Sequence, residues 1–547
     1  MYDTTRSGRP PTRVRRGLVT SPHYLASSTG LDLLREGGSA VDAAIAANAT
    51  LCVVYPHMAG VGGDGFWLIG GLDEDIAGIN ASGPAAGDAT REYYDELGYD
   101  SIPERGSASA LTVPGAVDGW RVAHDRYGSL PWGRLFDDAV ALAREGVALT
   151  EDVARWIAAD ADVLARDSTA ATVYRLDDGP PEAGAVLRQP ALADSLETIA
   201  ERGARDRLYE GPVGEAFCDG LGDESPLSPT DLREYRAEWV TPLSVDYRGV
   251  TAHTLPPNTQ GIAALQLLGL LEGFDPTEWG DGTADYYHHM TEAVKLAFAD
   301  RDAWVTDPTT VDLPAGTLLS DAYLDERRAL IDRFDSLPAT VNPGVAPDGS
   351  TARSGDVGGD TCYLSVVDEE GLAVSLIQSI YFDFGSGFLA GDTGIVPQNR
   401  GSFFSLDPRH VNTLEPGKRT FHTLIPSMLT KDGDPWLVYG TMGGEGQPQT
   451  QAALVSRIVD YGYDVQRAIE APRWLFGRTW GSESRSLSLE GRIPDGVATE
   501  LERRGQSVAM ARRYDDAMGH AAAIRIHGDG TLEGGADPRG DGAALGY

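Results

Sequence analysis

The chain has 547 residues, 41% of them apolar, enough to build a core and to exclude global disorder. Asp and Glu number 82 against 45 Lys and Arg, a formal net charge of −37, which excludes a phosphate backbone, and so nucleic acid, as the main partner. Only Lys295, Lys418 and Lys431 are lysines and the other 42 basic residues are arginines, an acidic, lysine-poor balance that reads as adaptation to high salt.

Residues 1–16 read as a disordered arm. Its arginines at 13, 15 and 16 are followed by no apolar run, so no secretory signal is expected and cytoplasm is the expected location. Residues 17–128 alternate helix and strand. A helix near 31–35 stops at Gly37-Gly38, and Ser39 caps a second that runs to Cys52. Val41, Ala44, Ile45, Ala49 and Cys52 recur there at helical spacing, with Asn48 a polar interruption on the same stripe. A glycine-rich loop over 55–65 precedes a strand over 66–69. Residues 129–240 read as mainly helical, with a helix start at Ser228-Pro229-Thr230-Asp231.

A strand over 251–255 leads through the loop 256–261 into a long apolar helix. The apolar stretch 262–274 is too short to span a bilayer and carries Gln266 and Glu272, so no membrane partner is expected. Another helix covers 284–304, with Tyr287, Met290, Val294 and Phe298 on one stripe. His288 and Glu292 share a face of it at i, i+4, but no further ligands accompany them, and they read as structural. The three cysteines, Cys52, Cys218 and Cys362, have neither a disulfide framework nor zinc spacing and fit a reducing compartment. The main composition break is 335–360, rich in Pro, Gly, Ser and Asp, which reads as exposed and flexible.

Structure resumes abruptly at Thr361. Residues 362–367 form a strand, 368–371 a four-residue turn and 372–378 the return strand. If Val367 pairs with Leu372, Thr361 lies opposite Gln378, with Ser379 and Ile380 just beyond. That arrangement suits autocleavage. The Thr361 hydroxyl attacks the Asp360 carbonyl, water resolves the ester, and Thr361 becomes a new N-terminus. Its α-amine, with a pKa of about 7.7–8.0, then serves as base for its own hydroxyl. Spacing alone also allows the ordinary reading, a threonine on a β-surface. Alternation places Cys362, a competing nucleophile, on the opposite face.

These segments resemble the γ-glutamyltransferase family of N-terminal-nucleophile hydrolases from about Gly17 to Tyr547. The resemblance is carried by Gly37-Gly38-Ser39-Ala40-Val41-Asp42-Ala43-Ala44, by Gly60-Val61-Gly62-Gly63-Asp64-Gly65-Phe66, and by Val113-Pro114-Gly115-Ala116-Val117-Asp118-Gly119-Trp120. Segments 256–261, 292–301 and 361–368, Met442-Gly443-Gly444 and Gly535-Ala536-Asp537-Pro538-Arg539 add to it. It implies an α+β fold, a four-layer αββα sandwich formed by two subunits cut from one chain. The large subunit would be 1–360, with a flexible tail at 335–360, and the small subunit 361–547. It implies Thr361 as nucleophile, Ser379 as its hydroxyl partner, cleavage between Asp360 and Thr361, and an oxyanion hole at the backbone N–H groups of Gly443 and Gly444. It implies neither metal nor other cofactor. The strand–glycine–helix reading over 436–459 agrees with an anion site, and residues 440–446 do not keep dinucleotide-binding spacing.

The family's glutamyl-recognition residues are replaced. An Arg that clamps the substrate carboxylate becomes Asn80, and an Asn beyond the nucleophile becomes Tyr381. A Gln and an Asp become Arg400 and Phe403, and a Ser-Ser pair becomes His422-Thr423. Stretches 379–387, 398–407, 421–426, 439–451 and 471–480 resemble the oxamate amidohydrolase branch. Arg400 would then grip a small carboxylate by a bidentate pair, with Tyr381 and His422 as donors. Each residue has a plainer reading. Arg400 could be a structural ion-pair partner, Tyr381 a core aromatic, His422 a backbone-bonding residue and Asn80 a turn former. The expected activity is hydrolysis of a small amide such as oxamate. The alternatives are γ-glutamyl transfer or glutathione hydrolysis, and an uncut, catalytically silent binding protein.

Overall fold

In the computed structural model, described for residues 8–72, 74–176, 179–345, 360–477 and 485–547, two seven-stranded antiparallel sheets pack face to face between helices. One sheet runs Thr12–Val14, Leu532–Ala536, Ala521–Ile526, Asp434–Thr441, Ser427–Lys431, Val250–Thr254, Leu243–Tyr247. The other runs Ala543–Gly546, Leu18–Ser21, Asp360–Val367, Ala373–Tyr381, Asp64–Gly71, Glu74–Ala81, Glu238–Val240. Strands from before and after residue 360 therefore lie side by side in both sheets. Phe66, Leu68, Tyr363 and Ile377 of the second sheet meet Met428, Val438, Ile524 and Leu532 of the first in a shared apolar layer. Burying both inner faces at once is what holds such a sandwich together.

The helix Ala40–Val54 covers the outer face of the sheet that holds Asp360–Val367. Ser39 and Asp42 close its capping box, and every residue of it is buried. Its alanines let it lie close against the strands. The other outer face is covered by Gly261–Glu272, Ala284–Trp304 and Gln447–Val459. Ala284–Trp304 has the expected bounds and is capped by Thr283; Tyr287, Met290 and Val294 are buried and Phe298 packs against the same cluster. Among the described residues no helix is long and apolar enough to cross a membrane.

Several local expectations are corrected. The N-terminal arm is not wholly irregular, because Thr12–Val14 pairs with Leu532–Gly534 and the Gly8 and Arg9 N–H groups reach Glu470; residues 1–7 lie outside the described residues. The first helix begins at Tyr24, capped by His23, well before residue 31. The hairpin register is shifted by one. Val367 pairs with Ala373, because Asp368 accepts the Leu372 N–H at 2.9 Å and draws a fifth residue into the turn. The strand starts at Asp360, not Cys362, with a register break between Asp360 and Cys362.

The composition break is anchored at its start. Lys295 Nζ donates to the Leu337 carbonyl at 2.8 Å, Trp304 Nε1 to Val345 at 2.8 Å, and the Gly344 N–H to Asp300 at 2.9 Å. Residues 346–359 lie outside the described residues, as do 478–480 of the stretch 471–480. His288 Nε2 meets the Asp332 carbonyl at 2.7 Å, and Glu292 accepts from Lys295 Nζ at 2.7 Å. Both residues thus secure the segment that follows the helices.

Candidate active site

The bulge in the central hairpin carries Thr361. Gln378 pairs with Cys362 and Tyr381 with Asp360, so Ser379 and Ile380 together face Thr361. Thr361 is buried, and its Oγ1 has no hydrogen-bond partner among the described residues. Ser379 Oγ accepts the Tyr381 N–H at 2.8 Å, across a tight bend in which Tyr381 takes a left-handed φ of +82°. Cys362 faces the helix layer beside Asn48, and burial pushes its thiol well above the ordinary range. That suppresses the thiolate a competing nucleophile needs.

Asn48 braces the hairpin from behind. Its Nδ2 donates to Gln378 Oε1 at 2.9 Å, and its Oδ1 accepts from Trp120 Nε1 at 2.8 Å. Gln378 Nε2 in turn donates to the Gly60 carbonyl at 2.6 Å. The polar gap in an apolar stripe is thus a satisfied amide network, as burial requires.

The strand Asp434–Thr441 ends in a turn whose Gly443 and Gly444 have φ of +126° and +54°. A Cβ at Gly443 would also lie 3.3 Å from Gly519 Cα, so only glycine suits that position. Gln260 secures the turn. Its Nε2 donates both to the Gly444 carbonyl at 3.0 Å and to the Thr423 carbonyl at 2.8 Å. Its Oε1 accepts from Arg301, whose Nη2 pairs with Glu445 at 2.7 Å. The turn is thus held from its carbonyl side and opens the helix Gln447–Val459, the geometry that an oxyanion site requires.

The guanidinium of Arg400 lies 3.9 Å over the Tyr381 ring and donates from Nη1 to Thr423 Oγ1 at 3.4 Å. The group is 1% exposed, and burial lowers it only to about 10, so it stays cationic at neutral pH. Among the described residues Arg400 has no ion pair, and its Nε and Nη2 find no acceptor. Those two nitrogens share one edge of the guanidinium, the edge that grips a carboxylate side-on.

His422 and Asn80 are engaged elsewhere. His422 Nε2 lies 3.3 Å from Asp64 Oδ2, and its Nδ1 accepts the Leu424 N–H at 3.4 Å. Burial, helped by the charge of Arg400, holds His422 well below its ordinary value, so the ring is neutral. Asn80 Oδ1 accepts from Ser82 Oγ at 2.7 Å and its Nδ2 donates to Asn258 at 3.0 Å. Neither side chain offers an unused nitrogen to a ligand in this geometry, whereas Arg400 offers two.

Sequence reading missed Asp64. Its Oδ1 accepts from the Gly83 and Gly115 N–H groups, each at 3.1 Å, and from Gln398 Nε2 at 3.0 Å. It pairs across the sheet with Ser379 and is 1% exposed. Burial pushes its carboxyl up to about 7, against those bonds and the charge of Arg400. The available signal was an acidic residue, in a glycine loop, opening a wholly apolar strand.

The Gamma-glutamyltranspeptidase family profile matches residues 26–547. The chain belongs to the gamma-glutamyltranspeptidase family. It is 45% identical over 531 residues to the "Glutathione hydrolase-like YwrD proenzyme" of Bacillus subtilis, covering 97% of this chain and 98% of that one. It is 43% identical over 537 residues to the "Oxamate amidohydrolase proenzyme" of Klebsiella pneumoniae, again with 97% and 98% coverage. The solved cephalosporin acylase of Bacillus halodurans superposes with a TM-score of 0.88 at 35% identity, over 100% of this chain and 98% of that one. As a gamma-glutamyltranspeptidase family member, the chain has the αββα sandwich expected of N-terminal-nucleophile hydrolases.

Proposed function

We propose that this protein is a self-processing N-terminal-threonine amidohydrolase acting on a small carboxylate-bearing amide such as oxamate. The observation that carries the substrate class is the unpaired Nε–Nη2 edge of the buried Arg400. Both near relatives are named as proenzymes, which supports scission of the precursor into residues 1–360 and 361–547. In processing, Thr361 Oγ1 attacks the Asp360 carbonyl carbon and displaces its own nitrogen. That displacement frees the α-amine, and water then cleaves the resulting ester to release the Thr361 hydroxyl and the carboxylate of residue 360.

In turnover the Thr361 α-amine accepts the hydroxyl proton as Oγ1 attacks the substrate amide. The N–H groups of Gly443 and Gly444 receive the oxyanion, and Ser379 supports the hydroxyl from the facing strand. The same amine returns the proton to the departing nitrogen, ammonia leaves, and water resolves the acyl-threonine. Arg400 holds the substrate carboxylate side-on, while Tyr381 and Thr423 hold Arg400. Asn80 and His422 act one step back, shaping the pocket through Ser82, Asn258 and Asp64. The acidic, lysine-poor composition and three unpaired cysteines support a high-salt cytoplasm as the working compartment.

γ-Glutamyl transfer or hydrolysis draws support from the similarity to the Bacillus subtilis relative. A γ-glutamyl substrate also brings an α-ammonium group, which needs an acceptor. Asp64 beside Arg400 is already surrounded by four donors. Ammonia release from oxamate, set against release from a γ-glutamyl anilide, separates the readings. Turnover of the anilide alone overturns the substrate assignment. A single uncut band in fully active material overturns processing, and an uncut, inactive protein supports the silent-binder alternative.

A further inference from the structure

A cavity of about 390 Å³ lies beside the loop that leaves the Thr361 hairpin. That volume is within the range of small-molecule sites. Arg105, Val163, Arg166 and Leu221, from before the 360–361 bond, face Phe388 and Leu389 from after it. Tyr381 and Phe382 lie between its Arg105 and Arg400. Their rings are 4.5 Å apart, with the Arg400 guanidinium 3.9 Å from the first and that of Arg105 5.5 Å from the second. Arg105 of the cavity lining is therefore one end of a cation–ring–ring–cation stack whose other end is Arg400.

Its chemistry is two-sided. Val163, Leu221, Phe388 and Leu389 supply apolar wall, while Arg105 and Arg166 supply charge. Arg105 is committed: it donates to the carbonyls of Asp383 and Gly385 and lies 3.6 Å from Asp160. The one carboxylate in the lining, Asp167, is occupied as a helix cap, accepting the Ala170 N–H at 2.7 Å. Arg166 is exposed, and its guanidinium makes no hydrogen bond or ion pair among the described residues. With Arg105 paired to Asp160 and Asp167 capping a helix, Arg166 is the guanidinium of the lining that is left to meet a ligand.

We propose that this cavity binds an amphipathic monocarboxylate, its carboxylate on Arg166 and its hydrocarbon part against Val163, Leu221, Phe388 and Leu389. A single unpaired cation above an apolar wall suits one negative charge on an apolar body, and suits a multiply charged phosphate less well. The site is distinct from the Thr361 centre, and it bridges the two segments on either side of the 360–361 bond.

The test is calorimetric titration of the full processed protein with 4-phenylbutyrate and with its neutral counterpart, 4-phenylbutan-1-ol. The carboxylate should bind saturably and about 10-fold more tightly than the alcohol, as one charge-assisted contact predicts. Arg166→Glu, at an exposed position, should remove that preference, and Thr169→Trp, on the cavity lining, should abolish binding. Saturating oxamate should not displace the probe, and both variants should hydrolyse small amides as the wild type does. No saturable binding, equal affinity for the alcohol, indifference to both substitutions, or displacement by oxamate would each overturn the assignment. None of these readings depends on turnover, so the proposal stands or falls apart from the amidohydrolase reading.

Discussion

Arg400→Gln isolates the charge and the side-on edge while keeping a planar group over Tyr381. In the free protein the buried guanidinium has one 3.4 Å hydrogen bond and two unpaired nitrogens, so little native bonding is lost. Removing an unpaired buried cation is neutral or stabilising, and the melting temperature should hold or rise. With substrate bound, two charge-assisted hydrogen bonds disappear, at about 1.5–3 kcal/mol each. Even the lower bound, about 3 kcal/mol in total, is on the order of 100-fold in kcat/KM. The carboxylate is held equally in the ground and transition states, so the loss should fall on KM, with kcat nearly unchanged. Ammonia release from oxamate, measured over a substrate series after a gel shows normal scission, reads both constants. An unchanged kcat/KM refutes the reasoning, as does an equal loss on an uncharged amide of similar size.

Asp64→Asn should flatten a pH dependence. As pH rises through about 7, Asp64 ionises and places negative charge near Arg400, so KM for a carboxylate substrate should climb in the wild type but not in the variant. Identical KM profiles would exclude that coupling. Gln260→Leu frees the glycine turn from its tie to Thr423 and should lower kcat by on the order of 10-fold or more at similar KM, by loosening the proposed oxyanion donors; a KM effect alone would contradict this. Asn48→Ala strands the Trp120 N–H and the Gln378 amide, each costing about 1–3 kcal/mol, and should lower the midpoint of denaturant unfolding clearly. An unmoved midpoint would show that the network carries no stability.

Local signals made much of the fold readable. Thr283 and the stripe through Tyr287, Met290 and Val294 delimit their helix, and Ser39 with Asp42 starts another, because caps and periodicity act within a few residues. Long-range partners were not readable. Asn48 looked anomalous because Trp120 and Gln378, its partners, lie far along the chain. Thr12–Val14 reads as an arm until Leu532–Gly534 supplies a strand edge. The register error came from one side chain, Asp368, whose bond to Leu372 lengthens the turn. At the site, residue type alone could not separate Arg400, with two unengaged nitrogens, from His422 and Asn80, whose polar atoms are engaged. Asp64 was in plain view within the glycine motif, but its role depends on Gly83, Gly115, Gln398 and His422, four separate points of the chain.

Intact-mass and N-terminal sequencing of active, mature protein tests the central claim most directly. The account predicts two polypeptides, residues 1–360 and 361–547, the lighter beginning with Thr361, and a Thr361→Ala protein that remains one chain. Full activity in an unbroken chain, a light fragment with any other first residue, or normal scission of Thr361→Ala would contradict it.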